Sequence, residues 1–187
     1  MVGGNRFQLR ILIRNLRGSE ADPPPAEVNS SGAPSHLRFA LFLSAPLTFP
    51  LLKDAHPALA PLARQLALFV RKVVGNPLQL QQVLRNLIGN AIKYTPAEGS
   101  ITVETEVKDK LAWISVADTG LGIPEEDIPF IFDKFYRVES EDRDDIQGNG
   151  LGLAIVKSIV EQHRGKITLK SKVGAGSTFK FSLPLVI

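Results

Sequence analysis

A chain of 187 residues that is 44% hydrophobic can bury a sizeable core, which excludes a coiled coil, a collagen-like repeat or a wholly disordered polymer. Lys and Arg number 22 against 19 Asp and Glu, so the net charge of +3 is too small to argue for nucleic acid or an anionic membrane as partner. The lack of cysteine removes disulfides, thiolate metal sites and cysteine nucleophiles, and makes the cytoplasm the default expectation. The longest apolar stretch, Phe39 to Leu52, has 14 residues, holds Pro46 and Pro50, and is shorter than the ~20 that a spanning helix needs. Arg6, Arg10 and Arg14 interrupt the first apolar run, which argues against a signal peptide, and no membrane contact is expected of this segment.

Along the chain, Arg6 to Arg17 mixes apolar and basic positions and suits either a short strand or an amphipathic helix. Gly18 to Ser35, rich in Pro, Ser, Gly and Glu, reads as a linker because it cannot bury enough apolar surface to offset its ordering entropy. Phe49 to Leu52 suits a strand, Pro57 to Leu66 a helix and Leu66 to Val70 another strand. The best-specified element is a helix from Pro77 to Tyr94. Asn76 is its N-cap and Pro77 its first residue, while Leu80, Val83, Leu84, Leu87, Ile88, Ala91 and Ile92 recur on one face. Alternation at Ile101, Val103, Thr105 and Val107, then at Ala112, Ile114 and Val116, predicts two strands joined by a turn at Asp109. A short helix is expected after Pro124, and a longer one from about Gly150 to Arg164, with Gly165 at C′. Strands at Lys166 to Ser171 and Thr178 to Leu183 follow, joined through Gly174 and Gly176. Helices interleaved with hairpin-connected strands predict a two-layer α/β sandwich: a mixed, mostly antiparallel sheet with helices on one face.

Three stretches carry chemistry. On the polar side of the Pro77–Tyr94 helix, Gln82, Asn86, Asn90 and Lys93 share one stripe. A merely solvated face would avoid two mid-helix Asn, each costing about 0.6 kcal/mol relative to Ala, and Gly89, costing about 1. Amide oxygens suit Mg²⁺, which shares its coordination with water and phosphates, and Lys93 adds a point charge for those phosphates. Next, Asp118-Thr-Gly120-Leu-Gly122-Ile-Pro124 follows a strand. It either binds a flat ligand, with the carboxylate accepting from an exocyclic amine, or is a glycine-stabilised turn initiated by Asp. Finally, Gly148-Asn149-Gly150-Leu151-Gly152-Leu153 runs into a helix whose free N–H groups suit a phosphate. It matches neither the dinucleotide fingerprint nor a Walker loop, since no strand precedes it and the chain has no Gly-Lys-Ser/Thr. Between these loops, Phe132-Asp-Lys134-Phe135-Tyr136-Arg137 and the acidic run from Glu139 to Asp145 read as a mobile flap.

In order, the segments NLIGNAIKYTP, DTGLGIP, FDKFYR, GNGLGLAIV and GAGSTF resemble the N box, first glycine box, F box, second glycine box and third glycine box of sensor histidine kinases. That family shares a superfamily with DNA gyrase and MutL-type ATPases. The resemblance spans about Leu47 to Ile187 and implies the Bergerat-type ATP-binding fold, with residues 1–46 as an N-terminal segment and flexible linker lacking a complete dimerisation hairpin. It implies ATP and Mg²⁺ as cofactors: Asn90 the metal ligand, Asn86 its neighbour in the metal–phosphate network, Lys93 and Arg137 on phosphate, Tyr94 beside the base and Asp118 on the adenine amino group. Gly120, Gly122, Ile123 and Thr178 would belong to the same nucleotide site. Gly148, Gly150, Leu151 and Gly152 would form the base of a phosphate lid. Asn86 stands where hydrolytic relatives carry a glutamate, and an amide has no basicity to activate water, so the resemblance implies kinase rather than ATPase.

The chain departs from that family at its acceptor. Only His36, His56 and His163 are present; Ser35-His36-Leu37-Arg38 lacks the acidic residue of an acceptor box, and the 53 residues between His36 and Asn90 are too few for a helical hairpin plus the start of the catalytic domain. His36 reads as incidental, His56 as structural, and His163 as a structural cation at a helix C-terminus. The expected partners are therefore ATP, a histidine-bearing dimerisation domain supplied by another segment or in trans, and a response regulator. A non-catalytic ATP-dependent binding module and a slow ATPase are the alternatives, and a full-length parent could be membrane-anchored.

Overall fold

In the computed structural model, residues 6–12, 28–29, 73, 75–138 and 148–185 are described. Helix α1 runs Pro77–Tyr94, as its spacing predicts, and the Asn76 side chain caps it by accepting from the Leu78 N–H at 2.9 Å. Leu80, Val83, Leu84, Leu87, Ile88 and Ala91 are buried and Ile92 is partly so, giving α1 one continuous apolar stripe. The strands are β1 (Arg6–Leu12), β2 (Val28–Asn29), β3 (Ser100–Lys108), β4 (Leu111–Asp118), β5 (Lys166–Lys172) and β6 (Gly176–Pro184); helix α2 (Gly152–Gln162) stands between β4 and β5.

The sheet order is β2-β1-β3-β4-β6-β5, and every strand pairing among the described residues is antiparallel, in keeping with the expected mostly antiparallel sheet. Hairpins join β3 to β4 and β5 to β6. The first turns through Asp109 and Lys110, both at positive φ (54° and 62°), the twist that a two-residue hairpin requires. In register, Val103, Val116 and Phe179 form one cross-strand row and Thr105, Ile114 and Phe181 the next, and these buried rows meet the apolar sides of α1 and α2 in a single core. The two-layer α/β arrangement follows from that one-sided burial.

Several expectations change. The ambiguous Arg6 to Arg17 stretch is a strand over its first seven residues, paired with β3 from Arg6–Glu106 to Leu12–Ser100. A strand this short finds its hydrogen bonds only across the sheet, so the pairing decides what composition left open. Two residues of the expected linker, Val28 and Asn29, pair with β1. The elements expected between Phe49 and Val70 lie outside the described residues. No helix follows Pro124. The chain makes successive tight turns (Asp127 N–H to Pro124 C=O, Phe130 N–H to Asp127 C=O), because Pro129 has no N–H with which to continue a helical ladder. At the end of α2 the left-handed C′ residue is Arg164 (φ 57°), not Gly165. Arg164 N–H bonds Glu161 C=O and Gly165 N–H bonds Val160 C=O, both at 2.9 Å, which satisfies two otherwise orphaned carbonyls.

Candidate functional site

Asp118 ends β4 on the core side of the sheet, because the alternation that buries Ala112, Ile114 and Val116 continues one step further. There the apolar rows give way to a cavity of about 260 Å³. Of the residues singled out in the sequence, Asn86, Asn90, Lys93, Tyr94, Asp118, Gly122, Ile123, Arg137, Gly148, Gly150 and Gly152 all line it. They come from elements far apart in the chain, and the Pro77–Tyr94 helix supplies four of them because offsets of four, three and one keep them on one side.

Gly120, Leu151 and Thr178 do not line it. Gly120 supports the wall, its N–H donating to Asp118 Oδ1 at 2.9 Å. Leu151 is the N-cap of α2, and its own N–H is taken by Asn149 Oδ1 at 3.2 Å. Thr178 lies on the opposite face of β6, since Phe179 and Ser177 on either side of it face inward, and Ser177 takes the place expected for it. Counting back by twos from the core residues Phe181 and Phe179 identifies Ser177. Ala91, Ile131, Val138, Leu153 and Phe179 also line it, apolar residues that the sequence did not assign to the site because their facing depends on tertiary packing.

At the Asp118 end, Oδ1 accepts from Gly120 N–H and from Ser177 N–H (3.2 Å), leaving Oδ2 as the acceptor for a guest. Burial pushes the carboxyl above its ordinary value and the two N–H donors partly offset this. The surrounding loops brace one another. Ile123 N–H and the Ser177 hydroxyl donate to Ser171 Oγ, which in turn donates to Gly176 C=O; the Ser171–Ser177 contact is 2.9 Å. Gly122, at φ 71°, abuts the Lys172 carbonyl, which a Cβ would approach to 2.0 Å.

At the other end, α2 begins against the cavity without a side-chain cap, so its first N–H groups and positive dipole end are turned to whatever enters. Asn86 reaches across to it, Nδ2 donating to Gly152 C=O at 3.2 Å. Phe135 N–H donates to Gly150 C=O at 3.0 Å, and both residues have positive φ (67° each), rare for a bulky side chain. The Phe135 ring is 71% exposed. Tyr136 in the same segment is tied by its hydroxyl to Asp127 at 2.5 Å. The acidic run from Glu139 to Gln147, expected to be a flap, lies outside the described residues.

Among the described residues no cluster of three His, Cys, Asp or Glu could hold a metal alone. A divalent ion here would be held by the Asn90 amide oxygen, water and the oxyanions of a bound phosphate. This donor set fits Mg²⁺, which keeps several waters and is commonly held together with substrate phosphates. Asn86, with its Nδ2 committed to Gly152, has Oδ1 left to accept from such waters.

Residues 75–187 match the model of the family described as histidine kinase-, DNA gyrase B-, and HSP90-like ATPases. The chain is 44% identical over 108 residues to the sensor histidine kinase WalK of Bacillus subtilis (strain 168), a match covering 57% of this chain and 18% of WalK. It is 45% identical over 104 residues to the signal transduction histidine-protein kinase ArlS of Staphylococcus aureus (strain USA300), covering 56% and 23%. It thus spans less than a quarter of the length of these relatives. Among solved structures it resembles the mycobacterial sensor histidine kinase MprB (TM-score 0.55, 30% identity, 60% of this chain and 76% of that one). It also resembles the catalytic domain of the histidine kinase ThkA (TM-score 0.51, 35% identity, 59% and 68%). No helix among the described residues is long and apolar enough to cross a membrane.

Proposed function

Because the chain belongs to the histidine kinase-, DNA gyrase B-, and HSP90-like ATPase family, we propose that it works as the catalytic and ATP-binding domain of a two-component sensor histidine kinase, transferring the ATP γ-phosphate to a protein histidine. The observation that carries this reading is one cavity walled by Asp118, Asn86, Asn90, Lys93 and the uncapped start of α2. Asp118 Oδ2 accepts from the adenine amino group, with Oδ1 held by two backbone donors so that the carboxylate cannot rotate away. Lys93 and Arg137 place cations near the phosphates, and the α2 N–H groups receive phosphate oxygens. Asn90 would hold Mg²⁺, which when bound neutralises phosphate charge. Asn86 orients the Gly152 end of α2 and has no basicity to activate water, which favours transfer to a protein nucleophile over hydrolysis.

Residues 47–187 form the catalytic unit, with β1 adding a strand to its sheet. The domain works in the cytoplasm, where ATP is supplied, whether or not its parent is membrane-anchored. Its partners are a histidine-bearing dimerisation hairpin and, downstream, a response regulator.

The test mixes the purified chain with labelled ATP, Mg²⁺ and a separately made acceptor hairpin. Acid-labile, base-stable label on the hairpin, with none on the chain alone, is the expected result. Tight ATP binding with no labelled protein would refute transfer and leave a binding module; steady release of inorganic phosphate without label would indicate an ATPase. Label on the chain alone that is lost in His36→Gln would make His36 an acceptor.

A further inference from the structure

We propose that His163, which belongs to none of the nucleotide motifs, is a positioning residue that sets where the two helices flanking the phosphates stand relative to each other. Its imidazole uses both nitrogens. Nε2 accepts from the Asn76 backbone N–H at 2.9 Å, so Nε2 carries no proton; Nδ1 must carry it, and donates to Ile159 C=O at 2.7 Å. The ring is therefore neutral in this arrangement and joins the last turn of α2 to the N-cap of α1, which corrects the expectation of a cation at a helix end. Gly75 lets the ring come this close: a Cβ there would stand 2.4 Å from His163 Cδ2.

A further polar tie between these helices runs from Asn86 Nδ2 to Gly152 C=O. Asn76 meets residue 163 while Asn86 meets residue 152, so the helices run antiparallel and the two ties lie about 15 Å apart along α1. The buried residues between the ties are apolar (Leu80, Val83 and Leu84 on α1, Val156, Ile159 and Val160 on α2), and apolar contact has no directionality to fix how far one helix slides past the other. Hydrogen bonds at both ends supply it. Asn90 and Lys93 lie on α1 just beyond one tie, and the α2 N–H groups lie at that same tie. A shift released at His163 therefore changes the spacing of the groups that grip the phosphates, while the Asp118 end keeps its own bracing. Asn76 is solvent-exposed, so water can replace the lost acceptor and little stability is at stake.

The inference rests on the nucleotide reading of the cavity, and its test separates the two. In the nucleotide-free chain, ¹⁵N NMR of the imidazole should show the proton on Nδ1; a proton on Nε2 would overturn the proposal whatever the function. In phosphotransfer to the supplied hairpin, His163→Leu should lower kcat by about tenfold, as small misplacements of reacting groups do, with KM for ATP and melting temperature little changed. His163→Gln, whose amide oxygen reaches the Nε2 position, should recover the rate; His163→Asn, whose amide reaches only the Nδ1 position, should not. Gly75→Ala, which displaces the ring without altering it, should reproduce the His163→Leu kinetics and serves as the variant of choice if His163→Leu does not fold. Equal rates in the Gln and Leu variants, or rates that track melting temperature, would overturn the proposal. Silence of the unaltered chain in the same assay would instead count against the kinase reading.

Discussion

Around Asp118, segments from α1, the loop after β4, the β5–β6 turn and β6 hold one another through backbone. Leu121 N–H bonds Tyr94 C=O at 3.0 Å, Gly174 N–H bonds Leu121 C=O at 2.9 Å, and Ser171 ties Ile123 to Gly176. At the opposite end of the cavity the described residues are joined through side chains as much as backbone: Phe135 N–H bonds Gly150 C=O, Asn86 bonds Gly152, Leu151 N–H bonds Asn149 and Tyr136 bonds Asp127, beside a helix start without a side-chain cap and an exposed Phe at positive φ. In the proposed kinase reading the difference matches what each end binds. A flat base presents the same edge every time and rewards a rigid acceptor, whereas a phosphate chain that changes length during transfer needs donors left open and a backbone able to move.

The largest effect is expected at the phosphate end. Asn90→Ala should abolish Mg²⁺-dependent phosphotransfer yet leave the melting temperature equal or slightly higher, since Ala is the better helix former by about 0.6 kcal/mol. A collapse in stability would mean that the stripe is structural. At the base end, Asp118→Ala should weaken adenine nucleotide binding about 100-fold by calorimetry, the order of a lost charge-assisted hydrogen bond plus two orphaned N–H donors. Asp109→Ala, in the β3–β4 turn, should leave nucleotide binding unchanged, and equal binding by both variants would remove Asp118 from the site.

The same carboxyl gives a pH signature. Its folded value is raised, so protonated Asp118 favours the nucleotide-free fold at low pH, and that contribution is lost as pH climbs from the ordinary 3.8 through the raised value. Thermal melts should therefore show Asp118→Asn gaining on the unaltered chain as pH rises through that window, while nucleotide affinity of the unaltered chain rises with the ionised form. A pH-independent gap between the two would argue against a buried carboxyl.

Smaller still are the glycine effects, which test the bracing directly. Gly122→Ala places a Cβ against the Lys172 carbonyl inside the braced end and should cost about 2–3 kcal/mol. Gly150→Ala meets the Phe135 backbone less closely, at 2.5 Å rather than 2.0 Å, and should cost only about 1 kcal/mol. Urea titrations giving the reverse order would break the comparison between the two ends. Gly89→Ala, where a Cβ meets nothing within 4 Å, should stabilise by about 1 kcal/mol.

Helix α1, its cap and its polar stripe were legible because a 3.6-residue period, Asn76 and Pro77 are local signals, and local spacing by itself sets which side chains share a face. The hairpins were legible for the same reason, and the ordered glycine segments pointed to the residues that wall the cavity. What the sequence left open depended on partners distant in the chain. Arg6–Leu12 became a strand because β3 offers it an edge; Ser177 replaced Thr178 because the pairing of β6 with β4 decides which residue faces inward; and His163 changed from an expected cation to a neutral acceptor because Asn76, 87 positions away, presents it with an N–H. Hydrogen bonds across a sheet or between helix ends join residues whose separation no local period encodes, so only the tertiary structure could assign them.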